Sequence, residues 1–579
     1  MDWKKEFERW QAQAAHDPFL ADDMAKLTDE KSIEESFYTE LEFGTAGLRG
    51  IIGAGTNRMN AYVVRRASRG LAEMILETEG ESGAKRGVAI AYDSRNRSDI
   101  FAMETALTLC SCGIRVYLYS TLHSVPQLSF TVRHLNCIAG VVITASHNPP
   151  EYNGYKVYWA DGGQCAPDRA NRILDCIRRF DYFEVKPMAY TTALSSDLLR
   201  IIGSEVDEEY YKRTMTLLMH PENLRENGKK LNAVYTPLHG SGLVPVTEIL
   251  RRVGVTNIHV VAEQEKPDGD FPTVKAPNPE DKNAFTLARK LADTVGANLM
   301  FATDPDSDRL GVAVRKPDGD FLMLTGNQTG ALLVHYILSS LKERGELPEN
   351  GLVVKSFVST TLADAICHKY GVTIKDVLTG FRFISEWIEH CEVTGEYKFL
   401  FGFEESYGAL AGGFARDKDA VCASMLVCDA AAYYMQQGKT LYDVINDIYG
   451  EYGFYMEKVK SYALSGKEGM ERIANAMKQL VSSPLTQIGG ESVLVYENHN
   501  EQTRLDLSSG NSAPTGLPKS NALRFLLPGS AWAVVRPSGT EPKLKLYIGA
   551  AAKTSEASEE QLSRLMKHMD DLISGLLSA

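Results

Sequence analysis

The sequence lacks the features that mark membrane, disulfide-rich and nucleic-acid-binding proteins. No apolar run approaches the about 20 residues that a membrane-spanning helix needs. Cationic charge is in deficit, because 62 Lys and Arg residues stand against 75 Asp and Glu residues and the formal net charge is −13. An acidic surface repels nucleic acid and anionic lipid, so we expect any anionic substrate to be held by local basic loops.

The nine cysteines show no framework of disulfides or metal ligands. Their number is odd, no two of them stand in a Cys-x-x-Cys pair, and most have apolar neighbours. This usage predicts reduced, buried thiols. The first residues, "MDWKKEFERW", carry charges throughout and lack the apolar segment of a secretory signal. We therefore expect a soluble, cytoplasmic protein.

Short β-branched and aromatic runs alternate with longer helical patterns along most of the chain. Continuous apolar runs joined by helices are typical of parallel strands that are covered on both faces, so the predicted fold class is α/β. The runs are "RGVAIAYDSR" (86–95), "IRVYLYS" (114–120), "IAGVVITAS" (138–146), "LNAVYTPLHG" (231–240), "NIHVVAEQ" (257–264), "ANLMFATDPDSD" (297–308), "GLVVKSFVS" (351–359) and "YKFLFGFEES" (397–406).

Three of these runs end in dense polar loops, "TASHNP", "TDPDSDR" and "GFEESYG". Ligands of open α/β sheets bind at the carboxyl ends of strands, so the three loops predict three similar modules that face one site. The last part of the chain differs. A stretch rich in Gly, Ser, Asn and Pro (484–520) precedes two strand-like runs within 530–550 and an amphipathic helix, which predicts a smaller α+β domain.

A length of 579 residues is too great for one hydrophobic core and suggests about four domains. We place boundaries near residues 205, 320 and 450. The predicted domains are three α/β domains, 1–205, 206–320 and 321–450, followed by the α+β domain, 451–579.

The loop "DPDSDR" places Asp304, Asp306 and Asp308 at alternate positions directly after a buried-looking run. Such a group is either a solvated acidic turn or a set of ligands for one hard cation. Repulsion among three carboxylates favours a neutralising ion. An EF-hand needs Gly at its sixth position and Glu at its twelfth, but Arg309 and Arg315 stand there. The pattern therefore indicates Mg²⁺ that bridges to a phosphate.

The loop "RPSGTEPK" combines cationic and hydroxyl groups with a flexible backbone. It supplies Arg536, Lys543, the hydroxyls of Ser538 and Thr540, and Gly539. A simple turn is the alternative, since Pro, Ser and Gly are turn residues. Basic residues in an acidic protein favour the binding of a phosphate dianion.

Two other polar segments are ambiguous by themselves. The loop "GFEESYG" offers carboxylate and hydroxyl acceptors for sugar hydroxyls, but Glu and Ser are equally favoured at the N-terminus of a helix. The glycine-rich segment "FGTAGLRG", which includes Arg49, is compatible with a phosphate contact and with a plain turn.

Ser146 ends a buried-looking run on a stiff turn that contains two prolines. It lacks the Gly-x-Ser-x-Gly frame of a hydrolase nucleophile. Side chains of adjacent residues diverge in extended backbone, so we expect no Ser146–His147 pair that acts as nucleophile and base. A serine that caps the next turn is one reading. A serine that shares its site with a metal loop and a phosphate loop has another role open to it, which is to accept a phosphoryl group.

The four loops "TASHNP", "DPDSDR", "GFEESYG" and "RPSGTEPK", in this order and at domain spacing, closely resemble the α-D-phosphohexomutase superfamily. The segments "FGTAGLRG", "AYDSRNRS" (91–98), "YNGYK" (152–156), "TPLHGSG" (236–242) and "TGFRFI" (379–384) fit the same pattern. The resemblance covers nearly the whole chain. It implies a heart-shaped enzyme with a central cleft, in which three topologically similar α/β domains with mixed, mostly parallel sheets are joined by a smaller C-terminal α+β domain.

The resemblance also implies roles for individual residues. Ser146 would be the phosphoserine, and its phosphate would share Mg²⁺ with Asp304, Asp306 and Asp308. The residues placed around the phosphoserine are Arg49, His147 and Lys156, of which His147 or Lys156 would transfer protons. Substrate-binding roles fall on Arg309, Thr379, Gly380, Arg382, Glu404, Ser406, Arg416 and Lys418. The phosphate at the far end of the substrate would be held by Arg536, Ser538, Gly539, Thr540 and Lys543.

One departure concerns the segment "TGFRFI", where the superfamily commonly has Lys and this chain has Arg382. Arg keeps the charge but does not readily release a proton, so an acid or base role at this position is doubtful.

The expected reaction is the interconversion of glucose 1-phosphate and glucose 6-phosphate, with glucose 1,6-bisphosphate as intermediate and activator. The segment "FGTAGLRG" and the Glu-Glu-Ser loop look most like the branch of phosphoglucomutases and phosphopentomutases. Alternatives are a phosphomannomutase, a phosphopentomutase, a glucose 1,6-bisphosphate synthase and a non-catalytic sugar-phosphate sensor. We expect a monomer or homodimer with sugar phosphates as its ligands.

Overall fold

The computed structural model of the chain describes residues 2–44, 47–538 and 542–578. The chain divides into two compact units. The first unit comprises Met1–Leu324, Ser385–Gly395 and Tyr407–Gly438, and the second comprises Thr325–Ile384, Glu396–Ser406 and Lys439–Ala579. Among the described residues, no helix combines the length and the apolar character needed to cross a membrane.

The first segment of the chain, residues 2–202, begins with three short helices that share one device. An aspartate caps each of them, because the side chains of Asp2, Asp17 and Asp29 accept hydrogen bonds from backbone N–H groups of the first turn. The helices of this segment are α1 (Trp3–Ala14), α2 (Pro18–Ala25), α3 (Glu30–Phe37), α4 (Ala61–Arg86), α5 (Ser98–Ser111), α6 (Val125–His134), α7 (Pro167–Ile177) and α8 (Tyr190–Ser195).

A six-stranded mixed sheet forms the centre of this segment. Its order is β1-β5-β4-β2-β3-β6, in which β2 runs parallel to β3 and β4, whereas β5 runs antiparallel to β4 and β1. The strands are β1 (Leu48–Ile51), β2 (Val88–Tyr92), β3 (Val116–Tyr119), β4 (Ala139–Ile143), β5 (Tyr152–Trp159) and β6 (Leu199–Ile202). Every residue of β4 is buried, as expected for a strand covered on both faces.

The second segment, residues 203–324, has a five-stranded mixed sheet of order β11-β10-β9-β7-β8. Its strands are β7 (Ala233–Thr236), β8 (Ile258–Val260), β9 (Leu299–Thr303), β10 (Leu310–Arg315) and β11 (Phe321–Leu324). Its helices are α9 (Ser204–Met215), α10 (Pro221–Asn227), α11 (Leu243–Arg252), α12 (Ala262–Glu265) and α13 (Thr286–Val295).

The third segment, residues 325–452, contains a parallel group of strands, with β12 between β13 and β14. Its strands are β12 (Gly351–Ser356), β13 (Thr373–Val377), β14 (Lys398–Phe403) and β15 (Ala409–Ala411). Its helices are α14 (Gly326–Glu343), α15 (Leu362–Tyr370), α16 (Phe381–Thr394), α17 (Ala420–Gln436) and α18 (Leu441–Tyr452).

The three segments repeat one arrangement of parallel strands. Counted among the parallel strands alone, the second, first and third lie side by side in that order in each segment, as β3-β2-β4, β8-β7-β9 and β13-β12-β14. This repetition confirms the predicted α/β class and the similarity of the three modules. The predicted boundaries near 205, 320 and 450 stay predictions.

The last segment, residues 453–578, is an antiparallel sheet of order β16-β24-β23-β22-β19-β20-β21, with helices that share its hydrophobic core. Its strands are β16 (Phe454–Ala463), β17 (Gln487–Ile488), β18 (Glu491–Ser492), β19 (Val495–Asn498), β20 (Thr503–Asp506), β21 (Ser512–Pro514), β22 (Leu523–Leu526), β23 (Trp532–Pro537) and β24 (Lys543–Ala552). Its helices are α19 (Gly466–Ser482) and α20 (Ser555–Ser578).

This architecture confirms the α+β class of the last segment but has more strands than the sequence indicates. The stretch 484–520, which is rich in Gly, Ser, Asn and Pro, contains five of them. Each is only two to four residues long, so it shows little alternation of apolar and polar residues. The turn residues that dominate the stretch connect these short strands as hairpins.

Gly154 lies in β5, where the strand packs closely between β1 and β4. A Cβ atom at this position would lie 2.5 Å from the carbonyl oxygen of Thr144 and 2.8 Å from that of Leu48. Both are backbone atoms, one in β1 and one directly after β4, so Gly154→Ala forces the neighbouring chain segments apart. We expect a loss of about 1–3 kcal/mol in the free energy of unfolding, measured by denaturant titration.

Gly575→Ala in α20 is the matched control, because a Cβ there meets open space. The same substitution in the body of a helix is favourable by up to about 1 kcal/mol. A Gly154→Ala protein that unfolds at the denaturant concentration of the wild type, or above it, would contradict the packing described for β5.

Candidate active site

Ser146 lies three residues beyond the end of β4 and has left-handed backbone, with φ of 51°. This conformation is uncommon for any residue other than glycine. Its N–H group donates a hydrogen bond of 2.8 Å to Oγ1 of Thr144, which stabilises the turn. The turn leaves the serine side chain buried, with 3% of the residue exposed.

The hydroxyl of Ser146 contacts two neighbouring side chains. Its Oγ donates a hydrogen bond of 2.8 Å to Oδ2 of Asp304 and lies 3.1 Å from Nδ1 of His147. The prediction that the side chains of Ser146 and His147 diverge is therefore wrong. It assumed extended backbone, whereas the positive φ of Ser146 turns the two side chains toward each other.

Asp304, Asp306 and Asp308 form a buried cluster directly after β9. One carboxylate oxygen of each lies within 4.8 Å of the corresponding oxygens of the other two. The backbone N–H groups of Asp308 and Arg309 each donate a hydrogen bond of 3.1 Å to Oδ1 of Asp304. The turn thus orients one carboxylate of the cluster through its own backbone.

The electrostatics of the cluster follow from burial and mutual repulsion. Burial raises the pKa of Asp304 well above its ordinary value, and the charges of Asp306 and Asp308 raise it further. Burial and the charge of Asp306 likewise raise the pKa of Asp308. Burial acts in the same direction on Asp306, but the ammonium group of Lys156, a hydrogen bond with Asp304 and the charge of Lys418 together outweigh it and lower the pKa of Asp306. The cluster is therefore short of positive charge.

The cluster fits a divalent metal ion. Among the described residues, Oδ1 of Asp306 and Oδ1 of Asp308 are buried and accept no hydrogen bond. A buried carboxylate oxygen without a donor costs free energy unless a cation satisfies it. A set of oxygen ligands is what Mg²⁺ and similar hard cations prefer.

Two lysines predicted from the sequence lie beside the cluster. Nζ of Lys156 in β5 is 2.8 Å from Oδ2 of Asp306 and 3.7 Å from Oδ2 of Asp308. Nζ of Lys418 is 3.1 Å from Oδ2 of Asp308 and 3.0 Å from Oδ1 of Asp417. The fold thus brings together side chains from three separate parts of the sequence.

Two predicted arginines, Arg309 and Arg49, lie near the cluster and the loop of Ser146. Arg309 pairs with Glu280, and its Nε lies 3.9 Å from Oδ1 of Asp308, so it borders the cluster. Nη1 of Arg49 donates a hydrogen bond of 3.2 Å to Oδ1 of Asn148, in the loop of Ser146. The charges of Arg309 and Arg49, together with burial as the largest effect, hold the pKa of His147 well below its ordinary value.

Arg416 is buried with two carboxylates. It forms ion pairs of 3.0 Å with Glu389 and 2.6 Å with Glu392. Its guanidinium is therefore engaged within the protein, and its predicted substrate-binding role stays a prediction.

In the second unit, two predicted loops meet. The backbone N–H group of Gly380 donates a hydrogen bond of 2.6 Å to Oε1 of Glu404, which joins "TGFRFI" to "GFEESYG". Thr379 and Ser406 lie in the same two loops and are half-buried. The guanidinium of Arg382 lies 4.4 Å from the ring centroid of Phe383.

The predicted phosphate loop follows β23 in the same unit. The N–H group of Ser538 donates a hydrogen bond of 2.7 Å to the carbonyl oxygen of Lys543, across the base of the loop. Arg536 also lies beside Tyr547. Burial and the charge of Glu405 raise the pKa of Tyr547, and the charge of Arg536 acts in the opposite direction. Gly539 and Thr540 lie outside the described residues.

Sequence reasoning missed several residues that organise the site. Asp417 accepts hydrogen bonds of 2.8 Å from the hydroxyl of Tyr158 and of 2.8 Å from Nε2 of Gln164. Thr144 Oγ1 bridges the N–H group of Ser146 and Oδ2 of Asp306, which it reaches at 3.2 Å. Arg95 in "AYDSRNRS" contacts the loop of Ser146. The available signal was the position of Thr144, directly after β4, and of Arg95, three residues after β2.

Four family models match the chain. They are described as phosphoglucomutase/phosphomannomutase alpha/beta/alpha domain I at residues 40–182, domain II at 209–319, domain III at 325–452, and the C-terminal domain at 499–567. Together they cover more than half of the chain, in the order that the four loops predicted.

Curated and solved relatives span nearly the same length. The chain is 37% identical to a phosphoglucomutase of Staphylococcus epidermidis, over 92% of the chain and 94% of that protein. It is 35% identical to a phosphoglucomutase of Staphylococcus saprophyticus, over 94% of the chain and 96% of that protein. The exocytosis-sensitive phosphoprotein pp63/parafusin of Paramecium, a phosphoglucomutase, shares the fold with a TM-score of 0.68 at 17% identity, over 94% of this chain and 96% of that one.

The family models and the relatives agree with each other and with the predicted resemblance. The chain belongs to the phosphoglucomutase/phosphomannomutase family of the α-D-phosphohexomutase superfamily and is a mutase, a phosphotransferase of the isomerase class.

Proposed function

We propose that the chain is an α-phosphoglucomutase that interconverts glucose 1-phosphate and glucose 6-phosphate. The transferred group is a phosphoryl group on Ser146, and glucose 1,6-bisphosphate is the intermediate. The observation that supports this most is the contact of the Ser146 hydroxyl with Asp304, 2.8 Å away, inside a cluster of three buried carboxylates. A serine in a binding protein needs no such cluster.

In the first half of the reaction, a free hydroxyl of the sugar phosphate attacks the phosphorus of phospho-Ser146. The new bond joins the sugar oxygen to phosphorus and the bond from phosphorus to Oγ breaks. The sugar hydroxyl loses a proton and Oγ of Ser146 gains one. We assign the transfer of protons to His147, whose Nδ1 lies 3.1 Å from Oγ, or to Lys156. Arg49 and Arg309 stabilise the negative charge of the phosphate.

In the second half, the other phosphate of the bisphosphate returns to Ser146 by the reverse of the same step. Transfer of one phosphoryl group out and another back leaves the isomeric sugar phosphate and the phosphoenzyme. We assign Asp304, Asp306 and Asp308 as the ligands of Mg²⁺, which would neutralise charge on the phosphoryl group when bound.

The remaining predicted residues bind the substrate. We assign Glu404 and Ser406 to sugar hydroxyls, because carboxylate and hydroxyl oxygens accept hydrogen bonds from them. The cationic and hydroxyl groups of the loop after β23 suit the phosphate that does not react. The residues proposed for it are Arg536, Ser538, Gly539, Thr540 and Lys543. Further contacts to the substrate are assigned to Thr379, Gly380, Arg382, Arg416 and Lys418.

Ser146→Ala removes the acceptor of the phosphoryl group. We expect conversion of glucose 1-phosphate, with a trace of glucose 1,6-bisphosphate, to fall by at least about a thousandfold, because no covalent intermediate can form. Mass spectrometry of the wild type should find one phosphoryl group on Ser146. Ser111→Ala, at an exposed serine, is the control and should keep wild-type activity. Full activity of Ser146→Ala would exclude the phosphoserine mechanism.

Asp306→Asn tests the metal site without a change of size. We expect EDTA to abolish wild-type activity and Mg²⁺ to restore it, and titration calorimetry to show at least about tenfold weaker Mg²⁺ binding by the variant. Asp318→Asn, in an exposed acidic turn, is the matched control and should bind Mg²⁺ as the wild type does. Wild-type activity that persists in EDTA would remove the assigned role of the three aspartates.

The preferred substrate is tested by kcat/KM for the 1-phosphates of glucose, mannose and ribose. We expect glucose 1-phosphate to be preferred by at least about tenfold, which corresponds to about 1.4 kcal/mol in transition-state binding. A preference for mannose or ribose would instead identify a phosphomannomutase or a phosphopentomutase. Net accumulation of the bisphosphate would identify a synthase, and binding without turnover of any sugar phosphate would identify a sensor.

A further inference from the structure

The segment from the end of β4 to the first residue of β5, residues 144–152, has fewer backbone donors than carbonyl groups. Pro149 and Pro150 have no N–H group, and the loop runs between two strands without a ladder of its own. Carbonyl groups shielded from water require hydrogen-bond donors. A donor from elsewhere in the fold must therefore supply them.

Arg95 supplies these donors. Its Nη2 donates a hydrogen bond of 2.6 Å to the carbonyl oxygen of Ser146 and another to that of Asn148. Its Nη1 donates hydrogen bonds of 2.9 Å to the carbonyl oxygen of Pro149 and of 3.0 Å to that of Tyr152. One guanidinium group thus connects the start, the middle and the end of the loop.

The guanidinium is itself held in place. Nε of Arg95 lies 3.5 Å from Oδ2 of Asp93, and Cζ of Arg95 lies 5.0 Å from the ring centroid of Phe271. Oδ1 of Asp93 accepts hydrogen bonds of 2.9 Å from the N–H group of Arg95 and of 2.8 Å from Oγ of Ser98. The aspartate and the aromatic ring therefore leave the side chain little freedom to turn away from the loop.

We infer that Arg95 is a positioning residue that fixes the backbone of residues 146–152, and with it the direction of the Ser146 hydroxyl; its catalytic effect rests on the proposed phosphoserine function. The side chain of Arg95 has no exposed surface, so it acts through the loop and not by contact with a sugar phosphate. The planar fork of arginine suits four acceptors in this arrangement, whereas lysine has three donors on a single atom.

The consequence is a specific kinetic signature. A displaced Ser146 slows phosphoryl transfer, because misplacement by about 1 Å costs on the order of a hundredfold in rate. Binding of the sugar phosphate uses other residues, so KM should stay near its wild-type value. A residue that only stabilises the fold would change neither constant in the protein that remains folded.

Arg95→Lys is the test, because it keeps the charge and the aliphatic stem. Arg97→Lys is the matched control two residues later, where the guanidinium pairs with Asp23, 2.7 Å from Nη2 to Oδ1. We expect Arg95→Lys to lower kcat by about 10- to 100-fold with KM within about twofold of wild type. Hydrogen–deuterium exchange of amides in residues 144–152 should rise in Arg95→Lys and stay unchanged in Arg97→Lys.

Each outcome decides the inference. Wild-type exchange in the loop of Arg95→Lys overturns it, whatever kcat does, and so does faster exchange with wild-type kcat in a protein that otherwise transfers phosphate. A wild-type chain that transfers no phosphate contradicts the proposed function instead, and the exchange measurement then decides whether Arg95 holds the loop. If Arg95→Lys does not fold, the isosteric Asp93→Asn replaces it, with faster loop exchange and a lower kcat expected for the same reason.

Discussion

The clustering of three buried carboxylates next to a serine hydroxyl is the interaction on which the rest of the first unit depends. Asp304, Asp306 and Asp308 are buried and repel one another at short distance, because solvent screens buried charges only weakly. Lys156 and Lys418 compensate part of this charge from β5 and from the segment before α17. The remaining deficit of positive charge is the reason that the site suits a divalent cation.

The positions of these groups follow from the repeated order of the parallel strands. Loops at the carboxyl ends of β2, β4 and β9 contribute Arg95, Ser146 and the aspartates, so the groups of the candidate site are held by the ends of rigid strands. The loop of Ser146 has two prolines, and its conformation depends on donors from its neighbours, Thr144 and Arg95. The geometry of Ser146 is therefore a property of several strands.

Most strands of the α/β segments were predictable, because buried strands leave strong apolar patterns in the sequence. Each of the eight apolar runs contains a strand, since buried parallel strands are continuous apolar segments in sequence. The short strands of residues 484–520 escaped prediction because two to four residues carry too little pattern. The contact of Ser146 with His147 was not predicted, because a positive φ at a serine is rare and the neighbouring residues do not indicate one.

The sequence by itself determined the kinds of chemistry available: a serine on a stiff turn, three carboxylates in one loop, and basic loops in an acidic chain. Only the tertiary structure decided which of these groups meet. Ser146 and Asp304 are 158 positions apart in the chain, and the 2.8 Å between their oxygens results from how the sheets of the first unit pack. The same packing places Arg416 next to Glu389 and Glu392, and it places Arg95 next to four carbonyl groups. Buried charges and carbonyl groups require partners, and the fold decides which partners are near enough to bind.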